Sequence, residues 1–270
     1  MKLAKRNSNE QPWAMLTAYD ALMARQVENG GADLILVGDS LGKAVLGYEG
    51  VEEVTLEDMV YHCKAVCRGR KSIPVIGDLP VNSYNTIEQA LNSSQKLLET
   101  GADFVKLEGF LPDTIRTLTN NNISVVAHLG HTPQTDHPTG SKVKANRIEA
   151  AEQLLQECIQ LEKAGAVAIV LEMVTREASK VISNSISIPV IGIGAGPDVD
   201  GQVLVVTDMW GESDIQFKFL EKFGQVEEHK TTAVQNYVKA VHQLNYPTDQ
   251  NSFHLKKSEL EEWLKKYPEC

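Results

Sequence analysis

Four cysteines in 270 residues, Cys63, Cys67, Cys158 and Cys270, are too few and too scattered for a disulfide framework, so reduced thiols are expected. Positive charge is also in deficit. With 26 Lys and Arg against 36 Asp and Glu, the formal net charge is −10, which argues against a broad basic face for nucleic acid or anionic lipid. No run approaches the roughly 18 consecutive apolar residues of a membrane helix, and the polar opening MKLAKRNSNEQP lacks the apolar core of a secretory signal. A soluble, cytoplasmic chain without membrane or nucleic-acid partners is expected. Linkers rich in Pro, Gly or Ser and low-complexity tracts are missing too, so residues 1–254 read as one domain. Residues 255–270 form a charged extension in which Leu255, Leu260, Trp263 and Leu264 fall on one face of a short helix, and docking on the chain's own core by that stripe is the expectation.

What the sequence does contain is a repeated alternation. Short apolar, β-branched runs at Ala14–Thr17, Leu34–Val37, Pro74–Gly77, Phe104–Leu107, Val125–His128, Ala168–Leu171, Val190–Gly192 and Val203–Val206 are separated mostly by amphipathic helical stretches such as Thr86–Thr100 and Ala145–Ala164. Eight such units in about 250 residues suit a (β/α)8 TIM barrel. An internal echo supports it: Gly31-Ala32-Asp33, Gly101-Ala102-Asp103 and Gly165-Ala166-Val167 each precede a strand, while Ser72–Gly77 and Ser187–Gly192 are nearly the same sentence. A doubly wound open sheet is the competing architecture.

In a barrel, the residues that end the strands face the active site. Here they are polar: Gly38-Asp39-Ser40, Asp78, Lys106 and Glu108, His128, and Glu172. Any one acid can be a helix N-cap, but Asp39, Asp78 and Glu108 from three successive strands would crowd one mouth. Like charges at ~4 Å repel by roughly 4 kcal/mol at an effective dielectric near 20, so such a trio needs protons or a cation, and oxygen-only ligands suit Mg2+. Lys106 shares a strand face with Glu108 and serves either a structural salt bridge or an anionic substrate. Glu172 follows a wholly apolar strand that would desolvate it and raise its pKa toward that of a general base; a loop cap or an exposed charge is the alternative. His128 is either a substrate contact or a satisfied core histidine. Gly192–Gly196 is glycine-rich, but a Pro-Asp-Val-Asp-Gly segment follows where a dinucleotide loop would open a helix; close approach of backbone to a ligand is the better account. His62, Cys63 and Cys67 offer half a metal site with no second pair to complete it.

These strand ends sit in longer motifs: Leu16–Asp20, Leu36–Gly42, Val54-Thr55 through Tyr61-His62, Asp78-Leu79-Pro80, Val105–Gly109, His128-Leu129-Gly130 with Thr132-Pro133-Gln134, Leu171-Glu172, and Ile191–Gly196 with Asp200-Gly201-Gln202. In them the chain resembles the ketopantoate hydroxymethyltransferase family over nearly its whole length. The resemblance implies a barrel of the phosphoenolpyruvate/pyruvate-binding type, a decamer of two pentameric rings, and hydroxymethyl transfer from 5,10-methylenetetrahydrofolate to 3-methyl-2-oxobutanoate, giving 2-dehydropantoate on the way to pantothenate and coenzyme A. It also implies roles: Asp39, Asp78 and Glu108 at Mg2+, Asp39, Ser40, Asp78 and Lys106 at the 2-oxo acid, and Glu172 as proton acceptor. The chain departs from the family pattern at His131, through 134–145, and at Thr207-Asp208 with 209–213, where folate binding or subunit packing would feel the change. The alternatives are a related magnesium-dependent lyase or aldolase for another 2-oxo acid, and a non-catalytic keto-acid-binding homologue.

Overall fold

Strands of Val, Ile and Leu that are buried on both faces call for a parallel sheet covered outside and packed inside. In the computed structural model, which describes residues 3–5, 10–136 and 143–268, eight of them close a parallel barrel in sequence order. They are β1 (Trp13–Thr17), β2 (Leu34–Val37), β3 (Val75–Asp78), β4 (Phe104–Glu108), β5 (Val125–Gly130), β6 (Ala168–Glu172), β7 (Val190–Ile193) and β8 (Gly201–Leu204). The barrel thus replaces the doubly wound alternative, because β1 pairs with β8 as well as β2. The eighth strand begins two residues before its expected start and ends at Leu204. The N–H of Val206 leaves the ladder and donates to Thr17 Oγ1 at 2.9 Å, which turns the chain inward.

Six helices flank the strands: α1 (Ala21–Asn29), α2 (Leu56–Gly69), α3 (Ile87–Leu98), α4 (Pro112–Asn120), α5 (Ile148–Lys163) and α6 (Arg176–Ser185). The helix expected over Thr86–Thr100 starts where Thr86 Oγ1 accepts the N–H of Gln89 at 3.1 Å, a side-chain cap for an otherwise unpaired donor. After β7 the regular alternation stops. Only a loop joins β7 to β8, and the helix after β8, α7 (Val206–Met209), has four residues. Outward-facing Ala14 on β1 and Gln202 on β8 are consequently exposed, whereas β2 to β6 are buried on both faces except at the last residues of β5 and β6.

The long helix that follows, α8 (Val226–His242), buries none of its residues, although Val234, Tyr237, Val238 and Val241 recur at helical spacing on one face. The C-terminal helix α9 (Lys257–Lys266) forms where the charged extension predicted one. Its stripe does not dock on the chain's own core: Leu255, Leu260, Trp263 and Leu264 are 41–50% exposed. Trp263 packs on Tyr267 within the same segment instead. No helix among the described residues is long and apolar enough to cross a membrane.

Side-chain alternation sorts the barrel into two cores. Met15, Leu34, Leu36, Ile76, Phe104, Val126, Ala168, Val170, Ile191 and Val203 fill the interior, and the neighbouring strand residues pack outward under the helices. Cys63 belongs to the outer layer, where burial pushes its thiol well above the usual range, and His62 Nδ1 contacts the carbonyl of Tyr19 at 2.6 Å. No additional metal-binding pair joins them among the described residues, and Cys270 lies outside these residues.

Candidate active site

The same alternation that points Ile76, Phe104, Val126 and Val170 into the barrel points Asp78, Lys106 with Glu108, His128 and Glu172 into its upper end. Asp39 and Ser40 arrive on the turn after β2. All seven line or border one cavity of about 140 Å3. That is smaller than the ~300 Å3 at which pockets for drug-sized molecules begin, and so fits a small acid.

Its floor is charged. Lys106 Nζ lies 2.8 Å from Asp78 Oδ1, 3.5 Å from Glu108 Oε1 and 3.4 Å from His128 Nδ1, with every one of these side chains buried. His128 Nδ1 meets Glu108 Oε1 at 3.1 Å, and its Nε2 faces Glu172 Oε2 at 3.4 Å without a directed hydrogen bond. Burial alone would depress His128, yet Glu108 beside it lifts the imidazole to about 9, so it is cationic near neutrality. Burial would likewise strip a proton from Lys106, but Asp78, Glu108 and Asp39 hold it firmly charged. Against its own burial, Glu108 is held down to about 2 by His128 and Lys106. Asp39 goes the other way: burial and then Asp78 push it well above the ordinary carboxylate range, and burial also raises Asp78.

Three buried carboxylates therefore share two cationic neighbours and remain short of positive charge. Their oxygen donor set, with Asp78 Oδ1 given an ion-pair contact but no directed hydrogen bond, fits a hard divalent cation. Among the described residues no three acidic, His or Cys groups are already converged as a cation cage; the Lys106 ammonium stands between them.

Glu172 occupies a wetter position than its apolar strand predicted. Its side chain keeps 18% exposure and faces an imidazolium, because β6 ends at the cavity and not beneath it. The turn that carries it is tightly held. His131 N–H donates to the Glu172 carbonyl at 2.8 Å, and Gly130 has φ +93° where a Cβ would stand 2.3 Å from that same oxygen. Met173, the next residue, is in the left-handed region at φ 49°, with its carbonyl bonded to Lys144 N–H and its N–H to the Ile193 carbonyl.

Much of the remaining lining is apolar, with Asp208 among it. Val51, Pro133, Ile193, Leu204, Phe217, Phe219 and Leu220 complete the cavity, with the Phe217 and Phe219 rings stacked at 5.1 Å. No helix starts after Gly192–Gly196, which agrees with setting aside a dinucleotide loop. A Cβ on Gly194 would meet the Phe219 ring at 2.7 Å, so that glycine makes room for a wall residue of the chain itself.

Among the divergent positions, His131 Nδ1 and Lys144 Nζ each lie 2.8 Å from Asp136, clamping the loop after β5; residues 137–142 of that segment are outside the described ones. Thr207 is buried beside Asp208, whose carboxylate burial raises and Ser213 contacts at 2.6 Å. Three contributors were not assigned roles from the sequence. Gln134 bonds to both Asp39 and Glu108, Tyr84 donates to Gln134, and Tyr19 bridges Thr17 and Ser40 at 2.9 and 3.0 Å. The motifs Thr132-Pro133-Gln134 and Leu16–Asp20 contain Gln134 and Tyr19, whereas Tyr84 falls in none.

Comparison with known proteins accords with this architecture. The family model for ketopantoate hydroxymethyltransferase matches residues 1–249. The 3-methyl-2-oxobutanoate hydroxymethyltransferase of Bacillus pumilus (strain SAFR-032) is 41% identical over 263 residues, covering 95% of this chain and 94% of that one. Its counterpart from Clostridium botulinum (strain Loch Maree / Type A3) is 43% identical over 245 residues, covering 88% and 89%. Among solved structures, phosphonopyruvate hydrolase in complex with oxalate and Mg++ aligns with a TM-score of 0.59 at 13% identity, covering 95% of this chain and 94% of that one. A 2,3-dimethylmalate lyase of the PEP mutase/isocitrate lyase superfamily aligns at 0.55 and 17%, covering 88% and 87%. These structures share the fold, while the sequence relatives carry the activity: the chain is an enzyme and belongs to the ketopantoate hydroxymethyltransferase family.

Proposed function

We propose that the chain transfers a one-carbon unit from 5,10-methylenetetrahydrofolate to 3-methyl-2-oxobutanoate in the cytoplasm, forming 2-dehydropantoate for pantothenate synthesis. The observation that carries the reading is the small cavity with an acid-and-ammonium floor on one side and Glu172 with His128 on the other. Lys106 and the Ser40 hydroxyl orient the oxo acid, and the apolar wall receives its isopropyl group. Asp39, Asp78 and Glu108 would hold a divalent cation, Mg2+ by donor chemistry, whose charge favours enolate over ketone. Glu172 takes the C3 proton. The carbon left behind attacks the one-carbon unit of the folate; overall one water supplies the new hydroxyl and tetrahydrofolate leaves.

Proton NMR of 3-methyl-2-oxobutanoate in deuterated buffer tests this directly. Loss of the C3 proton signal is expected with Mg2+ and not with EDTA, followed by hydroxymethylated product once 5,10-methylenetetrahydrofolate is added. Exchange without product would point to another acceptor, and neither exchange nor product would overturn the reading.

The active form is a homo-oligomer in this proposal, with the barrel of 1–254 as catalytic unit and 255–270 as an assembly element. Its support is a reciprocal deficit among the described residues: the β8–β1 wall has no covering helix, and the apolar face of α8 has no wall. A second copy supplies each with the other, as a two-fold contact does. Sedimentation velocity is expected to show an assembly larger than one chain, reduced in size by Val238→Lys combined with Val241→Lys. A monomeric unaltered chain would refute it.

A further inference from the structure

Gln134 is a neutral side chain that grips the acidic floor. Its backbone N–H donates to Glu108 Oε2 at 3.1 Å, and its Nε2 donates to Asp39 Oδ2 at 2.7 Å and to the Leu79 carbonyl at 2.9 Å. Its Oε1 accepts the hydroxyl of Tyr84. Both Nε2 contacts are acceptors and the Oε1 contact is a donor, so only one orientation of the amide satisfies the site. The residue is buried, and its loop is pinned by Asp136, which accepts the Thr132 N–H at 3.1 Å and pairs with His131 and Lys144.

Two acids on different strand ends, one after β2 and one closing β4, are thus held by a single residue from a third element. A Lys or Arg here would grip Asp39 equally well but would add the charge a cation must bring, and an acid would repel Asp39. The amide fixes Asp39 through Oδ2 alone and adds no charge, while the backbone N–H holds Glu108 Oε2, whose partner oxygen already faces His128 and Lys106.

We infer that Gln134 is a positioning residue for the divalent cation, aligning Asp39 and Glu108 through its side chain and backbone while Tyr84 locks its amide. This rests on the proposed cation role of those acids. It goes beyond the roles that the family resemblance implies, which leave Gln134 without one.

The test is Mn2+ binding followed by electron paramagnetic resonance, with thermal unfolding in EDTA as control for the fold. Gln134→Met is expected to weaken Mn2+ binding about 10- to 100-fold, the usual effect of losing a partner that orients metal ligands. Tyr84→Phe, which removes only the amide lock, is expected to weaken it severalfold and keeps the idea testable should Gln134→Met fail to fold. Gln134→Asn, which retains the amide on a shorter stem, should fall between Gln134→Met and the unaltered chain. A Kd within twofold of the unaltered chain for both Gln134→Met and Tyr84→Phe would overturn the inference. Failure of the unaltered chain to bind Mn2+ is a separate result, which overturns the cation reading beneath it.

Discussion

Glu172→Gln is expected to slow C3 proton exchange in 3-methyl-2-oxobutanoate by about 10²- to 10⁴-fold, the range lost with a general base. The amide keeps the shape of the side chain at the end of β6 and can still face His128 Nε2, which lies 3.4 Å from Glu172 Oε2. It cannot accept and hold the proton. Glu172 reaches the proposed cation acids through His128, which the amide can still face, so Mn2+ affinity should fall by less than about tenfold. The paired measurements separate proton transfer from site assembly. Exchange within tenfold of the unaltered chain would assign the base elsewhere.

Lys106→Met should produce the largest loss of stability of any single change at the site. Methionine fills similar volume but withdraws the ammonium 2.8 Å from Asp78 and 3.5 Å from Glu108, in a place where all three side chains are at most 5% exposed. Removing one partner of a buried ion pair typically costs about 3–5 kcal/mol, since the remaining charge is left dry and uncompensated. For a chain of this size that corresponds to a fall in Tm of roughly 10 °C in EDTA. Added Mg2+ should recover part of it by restoring positive charge to the acids. Differential scanning calorimetry gives the answer: a Tm within 2 °C of the unaltered chain would mean that the floor does not depend on this charge.

The sequence makes the barrel readable because parity is conserved along each short strand. Once Phe104 is taken as interior, Lys106 and Glu108 must follow it, and Val126 carries His128 in the same way. Gln134 escapes that logic. It lies on a loop where no period applies, and its importance comes from reaching three different strand ends at once. The environment of Glu172 differs from the expectation for a related reason: an apolar strand describes the side chain's neighbours in sequence, while its charged neighbour, His128, lies on the adjacent strand β5. The stripes of α8 and α9 show the complementary limit. Helical spacing reveals an apolar face, but not whether the surface that buries it belongs to the same chain.

Closure of the barrel joins residues 13–16 to 201–204, and Val206 N–H to Thr17 Oγ1 across 189 positions. Contacts so distant along the chain cannot form until β8 has been synthesised, and they raise the contact order on which folding speed depends. Thr17 is also a cavity residue, tied through Tyr19 to Ser40. A chain emerging from the ribosome therefore contains Asp39, Asp78, Lys106, Glu108 and His128 long before it has a cavity to put them in, and the last strand to be synthesised is the one that turns a row of charges into a binding site.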